Sequence, residues 1–367
     1  MSKNRLLLSA LLILIVNTGN SQTAKPGPKA IFLENISWTA ARDILTPDAV
    51  VVIPLGAGSK EHGPHLPLST DKIQADGLAK MVALERKVII TPTVNYGYYP
   101  AFLEYPGSTS LSFSGSTDMI LFLVRSLANY GPRRFYIINI GVSTTPTLEM
   151  AAKVLANEGI LLYYSDYERP NFENTEKAVR TKEFSGHADE IETSNILWFR
   201  PDLVDMRKAV NDSSTKDSPI KIMSPVPFKG AILNASGIEG YARLGTKEKG
   251  RKAMAGFCRE LIRDIDSITT CALPQPKDRT RAYLDYQGEY RDTAAQRSIT
   301  LKGYNNKLFL YLLPDAEQDD YFHLYQDDTD YFTSFSARIL FIRDEQGHVT
   351  KAWYKGQKRS FWMIKMK

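Results

Sequence analysis

The chain has 367 residues, 43% of them hydrophobic and 24% charged, which is the ordinary balance of a globular protein with room for more than one domain. Its formal net charge of +5, spread over interspersed acidic and basic residues, is too small to favour nucleic-acid binding. The sequence shows no zinc-finger spacing, phosphate-binding loop, dinucleotide fingerprint or internal repeat, which excludes those classes of protein.

The first 22 residues have the pattern of a secretory signal peptide. The basic segment Met1–Arg5 precedes the apolar run Leu6–Val16, which is too short to span a bilayer. Small polar residues follow, and we expect cleavage near Ser21. The mature protein is therefore predicted to be secreted or periplasmic, with no membrane span in its mature form.

A loop dense in potential metal ligands follows a predicted buried strand. The strand is the run Val50–Leu55, and the loop after it contains Glu61, His62, His65 and Asp71. Imidazole and carboxylate groups together suit a borderline divalent ion such as zinc or manganese. Loops at the carboxyl end of parallel strands commonly form active sites. The alternative interpretation is a surface turn rich in glycine and proline, with ordinary solvated side chains.

The middle of the chain alternates between strand-like and helix-like segments. Short apolar runs predict buried strands at 88–91, 135–138 and 160–164. Helical patterns lie near 116–129, 147–157 and 246–268. Thr145 and Pro146 are typical of a hydroxyl N-cap and a proline at the first helical position. The alternation predicts an α/β fold with a parallel sheet.

A third histidine lies in the segment Ser185–Ser194, which is typical of a loop that leads into a helix. Asp189, Glu190 and Glu192 would fall in the first turn, where carboxylates favour the positive end of the helix dipole. Taken alone, His187 and its neighbours are therefore explained by helix capping.

Taken together, the two histidine segments resemble the creatininase family of metal-dependent amidohydrolases. The resemblance lies in His-Gly-Pro-His-Leu-Pro-Leu at 62–68 with Asp71, and in Gly-His-Ala at 186–188 with Glu192. Further likenesses lie at 105–111, 137–148 and 237–250, so that the resemblance covers about residues 30 to 267. It implies an α/β/α sandwich with a mainly parallel sheet, and hydrolysis of a cyclic or linear amide with two zinc or manganese ions.

Several positions depart from the family's pattern, among them Gly186 before His187, where creatininase itself has a carboxylate, and Phe102, where many members have histidine. Lys60 stands two residues before His62, where the family has a metal-binding glutamate. Gly141 stands where the family has a histidine, and Ser143 where creatininase itself has a carboxylate ligand. We therefore expect at most one tightly bound divalent ion, zinc or manganese.

The resemblance also implies roles for five residues of this chain. His62 and Asp71 carry over as metal ligands, and Glu61 is the candidate to replace the missing carboxylate. His187 and Glu192 carry over as catalytic residues. His187 would act as the general acid and base for the departing nitrogen, and Glu192 would act at the site or brace its loop.

The predicted function is a secreted metal-dependent amidohydrolase that cleaves a C–N bond in a small cyclic or linear amide. Two alternatives remain: a hydrolase with a single ion held by Glu61, His62 and Asp71, and a catalytically impaired binding protein of the same fold. The expected partner is a small-molecule amide rather than nucleic acid, and assembly into a homo-oligomer stays open.

The chain divides into two predicted domains after the signal peptide. Residues 30–271 form the α/β domain, and the proline-containing stretch 272–280 is a linker. Residues 281–367 contain short strand-like runs at roughly ten-residue spacing, which predict a small antiparallel β barrel or sandwich. Every ligand-type cluster precedes the linker, so we assign stability or attachment to the β domain.

The sequence has two cysteines, Cys258 and Cys271. Export to an oxidising compartment would favour a disulfide between them. If Cys258 lies in the middle of a helix, both are instead simple thiols.

Overall fold

The structure of the protein is a computed structural model. It describes residues 27–214, 216, 222–227, 229–276, 283–292, 294–295, 297–304, 307–312, 321–328, 330–333, 337–356 and 360–366. The predicted signal peptide with its cleavage point, and residues 277–280 of the predicted linker, lie outside the described residues.

A five-stranded parallel sheet forms the centre of the first domain, with strand order β1-β3-β2-β4-β5. Its strands are β1 Ile31–Phe32, β2 Val50–Leu55, β3 Ile89–Ile90, β4 Arg134–Asn139 and β5 Leu161–Tyr164. The predicted strands at 88–91, 135–138 and 160–164 are thus confirmed within one or two residues. All six residues of β2 are buried, as its continuous run of apolar side chains requires.

Seven helices accompany the sheet and its connections in the described part of the chain. They are α1 Trp38–Ile44, α2 Thr70–Glu85, α3 Phe113–Ala128, α4 Thr145–Ala156, α5 Pro170–Lys177, α6 Glu190–Phe199 and α7 Lys247–Thr270. None of the helices in the ranges given above is long and apolar enough to cross a membrane.

Alternating side chains of the sheet pack against helices on its two faces. On one face Val52 and Tyr136 share a core with Leu78 of α2 and Phe257 of α7. On the other face the neighbouring residues Val51, Ile53 and Phe135 pack against α3 and α4. This arrangement confirms the predicted α/β/α sandwich, because each strand is covered on both sides.

Hydroxyl side chains begin several of these helices. Thr246 caps α7 and accepts a hydrogen bond from the backbone N–H of Lys249 at 3.2 Å. The N-terminus of α4 differs from the prediction by one residue. The cap position is Thr144, whose hydroxyl makes no capping hydrogen bond, and Thr145 is already helical with Pro146 in the first turn. The 3-10 turn Val142–Thr144 leads directly into α4, which moves the cap one position earlier.

Both cysteines are free thiols. Cys258 is buried inside α7 and Cys271 caps the C-terminus of the same helix. At about 1.5 Å per residue, the helix separates them by roughly 20 Å, far more than a disulfide spans. The disulfide alternative is therefore wrong.

Between α6 and α7 the chain forms four strands of two residues each. They pair as two small sheets, with β6 Asn211–Asp212 beside β9 Gly240–Tyr241 and β7 Met223–Ser224 beside β8 Ile232–Leu233.

The C-terminal region is a closed antiparallel barrel of eight strands. They are β10 Gly288–Asp292, β11 Arg297–Tyr304, β12 Lys307–Leu312, β13 Tyr321–Asp328, β14 Tyr331–Thr333, β15 Ala337–Arg343, β16 Val349–Gly356 and β17 Ser360–Lys365. Buried side chains such as Tyr290, Phe332 and Ile339 fill the interior. The predicted appended β domain is confirmed, and it is a barrel rather than a sandwich.

Candidate functional site

The ligand-rich loop lies at the carboxyl end of β2 and is folded back against the start of α2. The backbone N–H of Lys60 donates to the carbonyl of Leu68 at 3.0 Å, and that of Lys72 donates to the carbonyl of Ala57 at 3.1 Å. A Cβ at Gly56 would overlap the backbone of Asp71, so only glycine permits this close approach. The four ligand-type side chains of the loop are buried, and the interpretation that they are solvated on a surface turn is wrong.

His62 is fully buried and is held by its backbone and by Asp71. Its Nδ1 lies 2.9 Å from the carbonyl oxygen of Lys60, which only accepts, so Nδ1 carries the proton. Its Nε2 lies 2.8 Å from Oδ1 of Asp71 and 3.8 Å from Oε1 of Glu192. An imidazole that donates through Nδ1 to a carbonyl presents Nε2 as its metal-binding atom.

His187 reaches the same place from the loop before α6. Its backbone forms a bridge with Glu239, with N–H···O distances of 3.1 and 2.7 Å. Its Nε2 lies 2.8 Å from the carbonyl oxygen of Glu61 and 3.0 Å from that residue's Oε2. Both oxygens accept, so Nε2 carries a proton and Nδ1 is free to bind a cation.

Glu192 stands between the two imidazoles in the first turn of α6. Asp189 caps the helix by accepting from the backbone N–H groups of Ile191 and Glu192, at 2.8 and 3.1 Å. Oε2 of Glu192 accepts from the backbone N–H of Ala188 at 2.6 Å and lies 3.6 Å from Nδ1 of His187. Its side chain is 21% exposed, so solvent reaches the site at this residue.

One set of three ligand-type side chains is brought together in the described part of the chain: His62, His187 and Glu192. One ligand atom from each lies within 4.8 Å of the other two. Two imidazoles and one carboxylate form a donor set used by catalytic zinc, which keeps a further position open for water or substrate. The three residues present fit one divalent ion.

The carboxyl group of Glu61 is not a member of this set and instead fixes the segments around it. Oε1 accepts from the backbone N–H of Gly63, and Oε2 accepts from His187. A Cβ at Gly237 would overlap the Glu61 carboxylate, and the backbone there has φ +66. Glycine at 237 therefore lets the segment before β9 close over Glu61.

Charge pairing shifts the pKa values of the groups at the site. Burial opposes the charged form of His187, but the Glu61 carboxylate outweighs it and raises the pKa of the imidazole. Burial likewise opposes ionisation of Glu61, yet the neighbouring His187 lowers the pKa of that carboxyl group. Against the same penalty of burial, Lys60 and His62 together lower the pKa of Asp71. Glu61 and Asp71 are therefore ionised at neutral pH.

The ammonium group of Lys60 lies at the other carboxylate oxygen of Asp71. Its Nζ lies 2.8 Å from Oδ2 of Asp71, and Lys60 is only 5% exposed. The rings of Phe102 and Tyr99 flank it, with centroids 5.0 and 5.5 Å from Nζ. Burial disfavours this cation, but Asp71 and Glu192 outweigh burial and raise the pKa of Lys60.

The ring of Tyr99 fills the space beside Gly141. A Cβ at Gly141 would lie 3.0 Å from Cε1 of Tyr99. The hydroxyl of Tyr99 is buried and has no hydrogen-bond partner among the described residues. Ser143, in the 3-10 turn before α4, is half-buried. The residues present on this side of Asp71 do not fit a second divalent ion, because an ammonium and an aromatic ring stand there.

His65, the fourth polar residue of the loop, has a structural position. Its Nε2 lies 2.8 Å from Oγ1 of Thr193 on α6, and its backbone carbonyl accepts from Asp205 at 3.0 Å. Burial lowers the pKa of His65 to about 4, so the ring is neutral at physiological pH. It fastens the loop to α6.

The structure regroups the residues that the sequence singled out. The sequence places Glu61 with His62 and Asp71, but its carboxylate lies against His187 instead. His187 and Glu192, expected to be catalytic, lie with His62 in the set of ligand-type atoms.

Sequence reasoning did not single out Tyr99, and it gave no role to the ring of Phe102, which lies 4.1 Å from that of His187. The signal for Tyr99 was the pair Gly97 and Gly141. Both lack side chains where its ring and hydroxyl lie, and a Cβ at Gly97 would come within 2.9 Å of that hydroxyl.

Comparisons with known proteins agree with this architecture. A family model described as creatinine amidohydrolase matches residues 34–265. The creatinine amidohydrolase of Pseudomonas putida is 26% identical over 243 residues, which are 60% of this chain and 91% of that protein. The mycofactocin precursor peptide peptidase of Mycobacterium tuberculosis is 24% identical over 238 residues, 62% of this chain and 86% of that protein.

Solved structures show the same fold. A putative creatinine amidohydrolase from Bacteroides fragilis superposes with a TM-score of 0.54 at 21% identity, over 66% of this chain and 98% of that one. A mutant creatininase described as Zn-Zn type gives a TM-score of 0.54 at 23% identity, over 65% of this chain and 97% of that one. Because the family model spans more than half of the chain, this protein belongs to the creatininase family.

Proposed function

We propose that the protein is a secreted, metal-dependent amidohydrolase that hydrolyses a C–N bond in a small cyclic or linear amide. Membership in the creatininase family supports hydrolysis of an amide bond. The names of its relatives, a creatinine amidohydrolase and a precursor peptide peptidase, both describe that class of reaction. The first 22 residues run from a basic segment through an apolar segment to a polar one, which is the order of a secretory signal peptide and supports export.

The observation that carries the proposal is the set formed by His62, His187 and Glu192 at the carboxyl edge of a parallel sheet. We assign these three residues as the ligands of one zinc or manganese ion. When bound, such an ion polarises an amide carbonyl and lowers the pKa of a water molecule. The partial exposure of Glu192 supports entry of substrate and water beside it.

Two carboxylates hold the imidazoles in position. Glu61 accepts a hydrogen bond from Nε2–H of His187. This bond fixes the tautomer of the imidazole and directs Nδ1 toward Glu192. Asp71 lies against Nε2 of His62, where it can join the ligand set through Oδ1. In this assignment Glu61 is a positioning residue, and Asp71 keeps the place at the metal that the sequence predicts.

His187 changes role relative to the sequence prediction. Its hydrogen bond to Glu61 and the direction of Nδ1 support metal binding in place of proton transfer. The variant His187→Asn separates the two roles: a ligand variant loses the ion, whereas an acid–base variant keeps the ion and loses turnover. If His187→Asn keeps its full metal content but loses turnover, His187 acts in proton transfer and is not a metal ligand.

The test of the proposal is metal content together with amide hydrolysis. Purified protein should contain about one equivalent of zinc or manganese by elemental analysis. Glu192→Gln should lose both the ion and hydrolysis of a panel of cyclic and linear amides. His348→Ala is a matched control, since His348 is 76% exposed in the barrel and far from these ligands in sequence. Wild-type protein without bound metal and without amidase activity would refute the proposal.

A second candidate function is a binding protein that has lost catalysis. The observation in its favour is the ion pair between Lys60 and Asp71. This pair occupies Oδ2 of Asp71, which is then not available to bind a metal ion. Such a protein would bind an amide or peptide in calorimetry, contain no stoichiometric metal and show no turnover with any member of the panel.

A further inference from the structure

We propose that the Lys60 ammonium is a built-in cation that takes the place of a second divalent ion, so that the site works with a single ion. This inference rests on the proposed function in one respect, namely that the other side of Asp71 holds the ion. Lys60 is one of the residues that depart from the family pattern, and its ammonium group lies against Asp71.

The two oxygens of Asp71 face two different environments. Oδ1 lies 2.8 Å from Nε2 of His62, on the side of Glu192. Oδ2 lies 2.8 Å from Nζ of Lys60. A carboxylate between two cations uses one oxygen for each, and here an ammonium stands at the second oxygen.

The surroundings of Lys60 suit a permanent single positive charge. The side chain of Asp71 has no exposed surface and that of Lys60 has 6%. A pair this deeply buried is not screened by solvent, and removal of one partner leaves the other uncompensated. The faces of Tyr99 and Phe102 complete the shell with π electrons, which attract an ammonium but are poor ligands for zinc or manganese.

Beyond His62, His187 and Glu192, no second set of three ligand-type side chains is brought together in the described part of the chain. Gly141 offers no side chain, and the Tyr99 ring lies within contact distance of the place where a Cβ at Gly141 would be. Together these residues replace a second divalent ion. The ammonium of Lys60 supplies the positive charge, the ring of Tyr99 fills the volume, and Gly141 leaves room for that ring.

The test is the metal stoichiometry of Lys60 variants, measured without reference to activity. Metal-free protein is titrated with Mn²⁺ in a calorimeter, and its EPR spectrum is recorded, because two ions that share a carboxylate are spin-coupled and a lone ion is not. Lys60→Glu replaces the ammonium with a ligand at the same position. Lys80→Glu makes the same change of charge on the exposed side of α2 and serves as the matched control.

We expect one equivalent of uncoupled Mn²⁺ for the wild type and for Lys80→Glu, and one additional equivalent with a coupled signal for Lys60→Glu. A coupled pair of ions in the wild type would overturn the inference. So would Lys60→Glu protein that is folded by circular dichroism yet binds no more Mn²⁺ than the wild type. If the wild type binds no ion at all, the proposed function is contradicted. The amount of Mn²⁺ bound by Lys60→Glu relative to the wild type would still decide the role of Lys60.

A second variant covers the case in which Lys60→Glu does not fold. Lys60→Gln removes the ammonium without adding a charge and leaves Asp71 without its partner. Added Mn²⁺ should then raise the Tm of Lys60→Gln by more than it raises that of the wild type, because a divalent ion can restore the missing charge. Equal shifts in the two proteins would overturn the inference.

Discussion

The two sides of Asp71 solve the same electrostatic problem in different ways. On one side His62, His187 and Glu192 bring three ligand atoms within 4.8 Å, an arrangement that an exchangeable ion would complete. On the other side Lys60 supplies the positive charge covalently, inside a shell of aromatic rings. The comparison teaches that a cation site can be replaced by a side chain only when the volume around it is rebuilt as well.

The largest effect is expected when the group shared by both sides is removed. Asp71→Asn leaves the buried ammonium of Lys60 without its partner, and we expect a loss of about 3–5 kcal/mol in the free energy of unfolding, together with loss of the metal ion. Chemical denaturation and metal analysis measure the two effects. Asp76→Asn, on the partly exposed side of α2, is the control and should cost about 1 kcal/mol or less.

If the pair itself is the cause, the double variant Lys60→Met with Asp71→Leu should be more stable than Asp71→Asn, since it buries no unpaired charge. Equal stability of the two proteins would show that the pair has no such role.

A smaller effect is expected on the ion side alone. Glu61→Gln removes the negative charge that holds Nε2–H of His187, and the metal affinity should fall by about 10–100-fold while the protein stays folded. Calorimetric titration with Zn²⁺ measures this change. Glu104→Gln, at an exposed position of the same domain, should bind the ion as tightly as the wild type. Unchanged affinity in Glu61→Gln would remove Glu61 from the proposed role.

The ammonium side can be perturbed alone through its packing. Gly141→Ala places a methyl group about 3.0 Å from Tyr99 Cε1, at a residue whose φ of −97 is open to any amino acid. We expect a loss of about 1–3 kcal/mol from overpacking. In a double-mutant cycle, Tyr99→Leu should relieve part of this loss. Additive losses in the cycle would mean that the ring and Gly141 do not share one space.

The smallest effect is expected when the barrel is removed. A truncated chain of residues 23–272 retains every side chain of both sides of Asp71, so its metal content and amide hydrolysis should match those of the full chain. Circular dichroism checks that it folds, and limited proteolysis of the full chain should cut near 273–279. A folded truncated protein without metal and without activity would show that the barrel contributes to the site.

The sequence predicted strands β2 to β5 and helices α3, α4, α6 and α7, because these elements are set by local patterns, but it did not indicate β1, α1, α2 or α5. The continuous apolar run of β2 and the hydroxyl cap before α7 are visible in a few adjacent residues. Glu61 was grouped with its sequence neighbours for the same reason. Its actual partner, His187, is 126 residues away, and only the tertiary fold shows which way each carboxylate points.

The ammonium side was harder to predict because its features depend on one another. Lys60 and Gly141 were recognised as departures from the family pattern, but as two separate losses. Gly97 and Gly141 leave room for the ring of Tyr99, but no local pattern in the sequence links that ring to Lys60. A large side chain on one loop can compensate for a missing side chain on another without leaving a periodic pattern in the sequence. This part of the site could therefore be recognised only in the structure.

The closure of the barrel has a consequence for its evolution. Its first strand pairs with its last, Tyr290 opposite Lys365, so the points where the chain enters and leaves the barrel are neighbours. A unit with adjacent ends can be appended to another protein, or inserted into a surface loop, without stretching either chain. The segment of a gene that encodes the barrel could therefore be joined to another gene without disturbing the fold of either protein. The barrel should also tolerate circular permutation, with the old ends joined by a short linker and new ends opened in an exposed turn such as Asp344–Gly347.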